Sequence, residues 1–135
     1  MITGADVART ALTYEGTPFA HQGRLRGVGL DCAGLVIKVA HELGIFTFDI
    51  DGYGRQPSSE FLRTVRSSLD EAKDVLAGSV LSFAFLGHQM HLGIALSASE
   101  FIHSYQGSGC IRSTLAGAWK QRLRGVWRYR GVAYG

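Results

Sequence analysis

Apolar residues recur at helical spacing through the first half of the chain and at strand spacing through the second. In residues 5–14, Val7, Ala8, Ala11 and Leu12 form one helical stripe, which Gly16-Thr17-Pro18 ends. Residues 21–30 are polar and glycine-punctuated and read as an ordered loop. Residues 32–43 return to helical spacing with Leu35, Val36, Val39, Ala40 and Leu43 on one side. Asp31 stands before them as an N-cap, and Gly44 follows where a helix-terminating glycine belongs. Residues 45–57 read as a loop with aromatic anchors. Ser58 or Ser59 then caps a further helix carrying Phe61, Leu62, Val65 and Leu69.

After Gly78 the period changes. Ser79–Leu86, His91–Leu96, Phe101–Tyr105 and Gly125–Arg130 are apolar or alternating runs, separated by short polar intervals, and they predict antiparallel strands joined by hairpins. Helices first and strands second make an α+β layout, with the helices packed on one face of the sheet.

With 135 residues, of which 46% are apolar and 19% charged, the chain predicts a single domain over 1–135 and excludes a disordered polymer. No apolar run reaches the roughly 20 residues of a membrane helix. The start lacks a basic segment followed by an apolar one, so synthesis in a cytoplasm without a signal peptide is expected. Net charge is +3. Arginines cluster at Arg24 and Arg26 and between Arg122 and Arg130, too sparsely for a nucleic-acid stripe, and read as solvated faces. Two cysteines without a CxxC pair, and five histidines without HExxH, exclude a disulfide scaffold and argue against a structural zinc site. The Gly23, Gly27 and Gly29 cluster does not follow a strand and matches no phosphate-loop spacing.

Cys32 is the first candidate for chemistry. At a helix start, the unpaired N–H groups and the positive end of the dipole favour a thiolate, while the neighbouring Asp31 opposes one. The alternative is a small buried hydrophobe. His91 and His103 are twelve residues apart across the turn Ser97–Glu100. A hairpin there would set them roughly opposite each other on neighbouring strands, close enough for one imidazole to bond the other. A nucleophile, a base and a group that orients the base complete the logic of a catalytic triad. His21 could line a cleft before Cys32. His41, on the helix, and His88, in a turn, read as structural, as does Cys110 in a strand-like stretch.

These blocks occur in a familiar order: Gly16-Thr17-Pro18-Phe19, Gly29-Leu30-Asp31-Cys32-Ala33-Gly34-Leu35-Val36, Ala77-Gly78-Ser79-Val80, His91-Leu92-Gly93-Ile94-Ala95-Leu96 and Phe101-Ile102-His103. Together they resemble the NlpC/P60 cysteine peptidases over residues 5–130. The stretch Gly16–Val36 is similar to the subgroup that tailed phages, prophages and gene transfer agents encode as cell-wall peptidases. The resemblance implies a papain-like α+β fold and hydrolysis of amide bonds in peptidoglycan stem peptides, commonly between D-γ-glutamate and a diamino acid, without metal or cofactor. It implies Cys32 as nucleophile, His91 as base and His103 as the third polar residue; the mechanism expected on that assignment pairs a Cys32 thiolate with a protonated His91. Asp31, Phe19, His21, Gln22 and Ala33 fall in the implied substrate-binding region. Implied partners are the stem peptide and phage-tail or tail-hub proteins, and the implied location is a particle tail acting on the wall.

Three positions depart from the family pattern. Ala33 replaces the usual serine, Phe19 replaces a frequent tyrosine, and Ala77-Gly78-Ser79 replaces Pro-Gly-Asp. Phe19 cannot donate a hydrogen bond, so an oxyanion site would rely on backbone N–H groups, His21 or Gln22. Two alternatives accompany this reading. One is an amidase or acyltransferase of the same fold. The other is a structural tail-tip component whose triad no longer works.

Overall fold

The computed structural model describes residues 1–50, 52–53, 63, 66–85 and 90–135. The first helix, α1 (Gly4–Leu12), begins in a capping box. The Thr3 hydroxyl accepts the Asp6 N–H at 3.2 Å, and the Asp6 carboxylate accepts the Thr3 N–H at 2.9 Å. Val7, Ala8 and Ala11 face inward, as their spacing requires.

Residues 21–30 are not a plain loop. They fold into a small hairpin of β1 (Arg24–Leu25) and β2 (Gly29–Leu30), turning through Gly27 at φ 78°. The second helix, α2 (Cys32–Glu42), follows at once. The Asp31 carboxylate caps it by accepting the Gly34 N–H at 2.7 Å. Eight of its residues are buried, because α1 and the sheet enclose it on different sides. Gly34 lets the hairpin approach the first turn. A Cβ there would lie 2.4 Å from the Gly23 carbonyl oxygen.

The sheet has six strands in the order β3-β8-β4-β5-β6-β7: β3 (Leu69–Ala72), β4 (Val80–Ala84), β5 (Met90–Ala95), β6 (Glu100–Tyr105), β7 (Gly109–Thr114) and β8 (Leu123–Tyr129). Every pairing is antiparallel. Leu69, expected on a helix, instead pairs with Tyr129 at the sheet edge; the residues expected to start that helix lie outside those described. A short helix, α3 (Gly117–Arg122), connects β7 to β8 and had no sequence signature, since none of its residues is fully buried.

The sheet carries two cores. Val80, Leu92, Ile94, Ile102, Trp127 and Tyr129 pack with α1 and α2. Leu81, Phe83, Ala95, Phe101 and Val126 form the other face, against which Trp119 of α3 packs. The two N-terminal helices thus cover one face as expected, and α3 covers part of the other. Two buried hydroxyls fix α2 over the sheet: Tyr129 donates to the Val36 carbonyl and Ser104 to the Leu30 carbonyl, each at 2.6 Å.

Candidate active site

Cys32 is the first residue of α2 and is 7% exposed. The N–H groups of Leu92, Ala33 and Cys32 itself face its sulfur. The helix start therefore meets β5 at the peptide joining His91 to Leu92. These donors favour a thiolate, as the sequence suggests, but they do not prevail. Burial, reinforced by the charge of Asp31, pushes the thiol up to about 12.

The histidines come together on the sheet. His91 Nε2 lies 2.7 Å from His103 Nδ1. Their placement differs from the expected one. Strands β5 and β6 pair Ile94 with Ile102 and Ala95 with Phe101. Continuing that register sets Gly93, not His91, beside His103, so the histidines are diagonal neighbours. Gly93 leaves the space for this: a Cβ there would stand 3.3 Å from the His103 Cβ and 3.0 Å from the Phe101 ring.

Both rings are buried in an aromatic enclosure. Trp119 of α3 lies 4.8 Å from His103 and 5.6 Å from His91 between ring centroids, and Phe83, Phe101 and Tyr105 close the sides. Burial, with His103 adding to it, pushes His91 down to about 3, and burial pushes His103 down to about 4. Burial thus disfavours the charged form of each of the three groups, the Cys32 thiolate and the two imidazoliums, and works against the expected ion pair. Among the described residues no hydrogen bond joins the Cys32 sulfur to either ring.

The titration has a consequence for stability. An unfolded histidine takes up its proton near pH 6.5, whereas these two take it up near 3 and 4 when folded. Their stabilising contribution is complete above pH 6.5 and is lost as the pH falls toward 3–4. The melting temperature is expected to drop across this interval, and to drop less steeply in a His103→Asn variant. A flat profile in the parent protein would contradict the burial of these rings.

Asp31 is also buried, and its own chain occupies it. One oxygen accepts the Gly34 N–H and Arg24 Nη1, at 2.7 and 3.0 Å. The other accepts the Gln22 N–H at 2.8 Å and the Tyr53 hydroxyl. Arg24 is not the solvated cation the sequence suggested. Its five N–H groups reach Asp31, Asp49, Tyr53 and the Gly23 and Ile50 carbonyls. Together these bonds clamp the hairpin, the helix start and residues 49–53. A hollow of about 200 Å³ lined by Gln22, Arg24, Asp49 and Ile50 opens beside the clamp.

The remaining sequence candidates lie on the segment leading to Cys32 or directly after it. Phe19 runs beside Leu30 through a backbone bridge and is half-buried. Ala33 is fully buried. Gln22 is the only described non-glycine residue with positive φ, at 57°. Its backbone N–H goes to Asp31, and its side-chain amide lies 2.9 Å from the Tyr53 carbonyl and 3.3 Å from His21 Nε2. The Gln22 donors are engaged within the chain, and the Cys32 and Ala33 N–H groups at the first turn of α2 join His21 as candidate oxyanion donors.

His41 donates to the Phe48 carbonyl at 2.7 Å, a structural role. Cys110 is buried in β7. His88 lies outside the described residues. Among the described residues, no three His, Cys, Asp or Glu side chains converge to hold a metal ion, and no helix is long and apolar enough to cross a membrane. Sequence reasoning missed Arg24, Tyr53, Ser113 and Trp119. Of these only Ser113 carried a legible signal, its same-face spacing from His103 on successive strands.

Comparison with known proteins adds the decisive observation. The model of the NlpC/P60 family matches residues 16–128, which include Cys32, His91 and His103. The chain belongs to the NlpC/P60 family. An NlpC/P60 family protein of Bacillus cereus ATCC 10987 superposes with a TM-score of 0.71 at 21% identity, over 94% of this chain and 40% of that one. The NlpC/p60 domain of peptidoglycan hydrolase SagA superposes with a TM-score of 0.65 at 23% identity, over 93% of this chain and 97% of that one. A structure from Staphylococcus aureus subsp. aureus Mu50, described as similar to a lipoprotein of the NLP/P60 family, gives 0.65 at 21% identity, over 93% and 41%. The chain thus spans about two-fifths of the Staphylococcus and Bacillus chains. No curated protein matches it. At these identities the likeness to solved structures is one of fold.

Proposed function

We propose that this NlpC/P60 domain is a peptidoglycan hydrolase, a cysteine endopeptidase that cleaves an amide bond of the wall stem peptide, between D-γ-glutamate and a diamino acid. The observation that carries the reading is the placement of a cysteine at a helix start, against the peptide of a histidine whose far nitrogen is held by a second histidine. Family membership and the likeness to the NlpC/p60 domain of peptidoglycan hydrolase SagA support the substrate class.

The contacts of the site support the following steps. His103 engages His91 Nε2, so Nδ1 is the nitrogen left to take the Cys32 proton. As the sulfur attacks the carbonyl carbon, its proton passes to that nitrogen. The transfer creates two opposite charges together, and their attraction in a dry site offsets much of the burial cost that each would bear alone. The Cys32 and Ala33 N–H groups receive the oxyanion, where a single donor can be worth about 3 kcal/mol of barrier. His91 returns the proton to the leaving amine, which departs and leaves a thioester. A water gives a proton to His91 and attacks the thioester, releasing a carboxylic acid and the free thiol. Asp31 serves the substrate-binding region through its clamp, which holds Gln22 and Tyr53 in place.

Digestion of defined stem peptides and of purified wall, followed by mass spectrometry, tests the reading. The expected products carry a new glutamyl carboxylate and a new free amine on the diamino acid. Intact substrate, or release at the sugar–peptide amide, would overturn the endopeptidase assignment. The similarity of Gly16–Val36 to phage and gene-transfer-agent peptidases supports delivery on a particle tail. Its test is whether antibodies to the chain label such particles.

A further inference from the structure

The two histidines are part of a longer line. His103 Nε2 lies 2.8 Å from the Ser113 hydroxyl on β7. In the pairing of β6 with β7, Phe101 stands opposite Ser113 and Ile111 opposite His103. Ser113 is therefore offset from His103 by two residues, as His103 is offset from His91. The three side chains lie on one face and cross β5, β6 and β7 on one diagonal. Trp119 covers its middle member.

Hydrogen-bond direction gives this line its meaning. A neutral imidazole carries one N–H, so it donates at one nitrogen and accepts at the other. If Ser113 accepts from His103 Nε2, then His103 Nδ1 must accept from His91 Nε2, and His91 Nδ1 is left as a bare lone pair. If Ser113 donates instead, every member reverses, and His91 Nδ1 carries the hydrogen and cannot receive another. The hydroxyl at the outer end thus sets the state of a nitrogen two rings away.

We infer that Ser113 is a positioning residue that selects, through His103, the tautomer of His91 able to take the cysteine proton. The inference rests on the proposed cysteine-peptidase reading for its effect on rate, but not for its effect on the tautomers. The surroundings suit the role. Phe83, Phe101 and Trp119 are apolar, and among the described residues Tyr105 is the one titratable side chain besides the histidines in ring contact with His103. Few other groups are therefore at hand to replace Ser113 at His103 Nε2.

The test compares the parent chain with Ser113→Ala and Ser113→Thr, reading ring-nitrogen NMR shifts on uniformly ¹⁵N-labelled protein and kcat and KM on a stem peptide. In the parent, both histidines are expected in the Nε2–H form. Ser113→Ala should shift His91 toward a mixture of tautomers and lower kcat by about tenfold, the low end of what supporting partners of functional histidines are worth. KM should stay unchanged, and Ser113→Thr should restore both readouts to within about twofold. Unchanged nitrogen shifts in folded Ser113→Ala would overturn the inference, and so would a parent protein with His91 in the Nδ1–H form. A tautomer change in a protein that cleaves no stem peptide would sustain the inference and overturn the proposed substrate instead.

Discussion

Cys32→Ala is expected to abolish cleavage of stem peptides, with a loss of at least about 10⁴-fold in kcat, because a nucleophile has no substitute in a covalent mechanism. The same variant should melt within a few degrees of the parent. The side chain is small, its sulfur forms no hydrogen bond to either histidine, and the Asp31 cap, the clamp and the two buried hydroxyl ties that hold α2 do not involve it. A change of 1 kcal/mol moves the midpoint of a domain of this size by about 4 °C. Steady-state cleavage and thermal melts on one preparation check both halves. Activity persisting in this variant would remove Cys32 from the chemistry.

Asp31→Ala is expected to have the largest effect on stability. The substitution strips the acceptor from the Gly34 and Gln22 N–H groups, from the Tyr53 hydroxyl and from a guanidinium that is only 17% exposed. Breaking a buried pair by removing one partner costs about 3–5 kcal/mol, since the other charge stays buried without compensation. The midpoint should therefore fall by more than about 10 °C. Arg24→Lys should cost less, because an ammonium keeps the charge but cannot reproduce a fork that reaches five separate acceptors. Cleavage should fall in both, as the first turn of α2 carries the proposed oxyanion donors. An Asp31→Ala protein as stable as the parent would show that the clamp is not structural, and that the carboxylate is free to hold a ligand directly.

The sequence displays those parts of the site that depend on local chain geometry. Asp31 as a cap, Cys32 at the first helical position and Gly44 beyond the end follow from propensities that act over a few residues, and the structure has all three, with Gly44 at φ 69°. The joining of His91 and His103 also follows, since a short turn limits how far apart they can be. Their diagonal offset does not, because register is set by pairing along the whole ladder and by the absence of a side chain at Gly93.

Long-range packing explains what stayed hidden. Leu69 fits the helical stripe that begins near Phe61, yet it pairs with Tyr129, sixty residues away. Nothing within a short window signals that partner. Arg24 looks like surface charge until residues 49–53 fold over it. The thiol illustrates the same limit in electrostatic terms. The helix start favours ionisation and is visible in the sequence, whereas burial opposes it more strongly and exists only once α2 is enclosed by α1 and the sheet.

Burial pushes the Cys32 thiol up, and a thiol is less open than a thiolate to oxidants and alkylating agents. The central claim is that this sulfur becomes covalently acylated during cleavage. Rapid acid quenching of the protein with a defined stem peptide, followed by mass spectrometry of the digested chain, tests it most directly. The account predicts an added mass equal to the acyl portion of the substrate on the peptide containing Cys32, and none in Cys32→Ala. Cleavage proceeding with no such adduct, or with the adduct on Cys110, would contradict it.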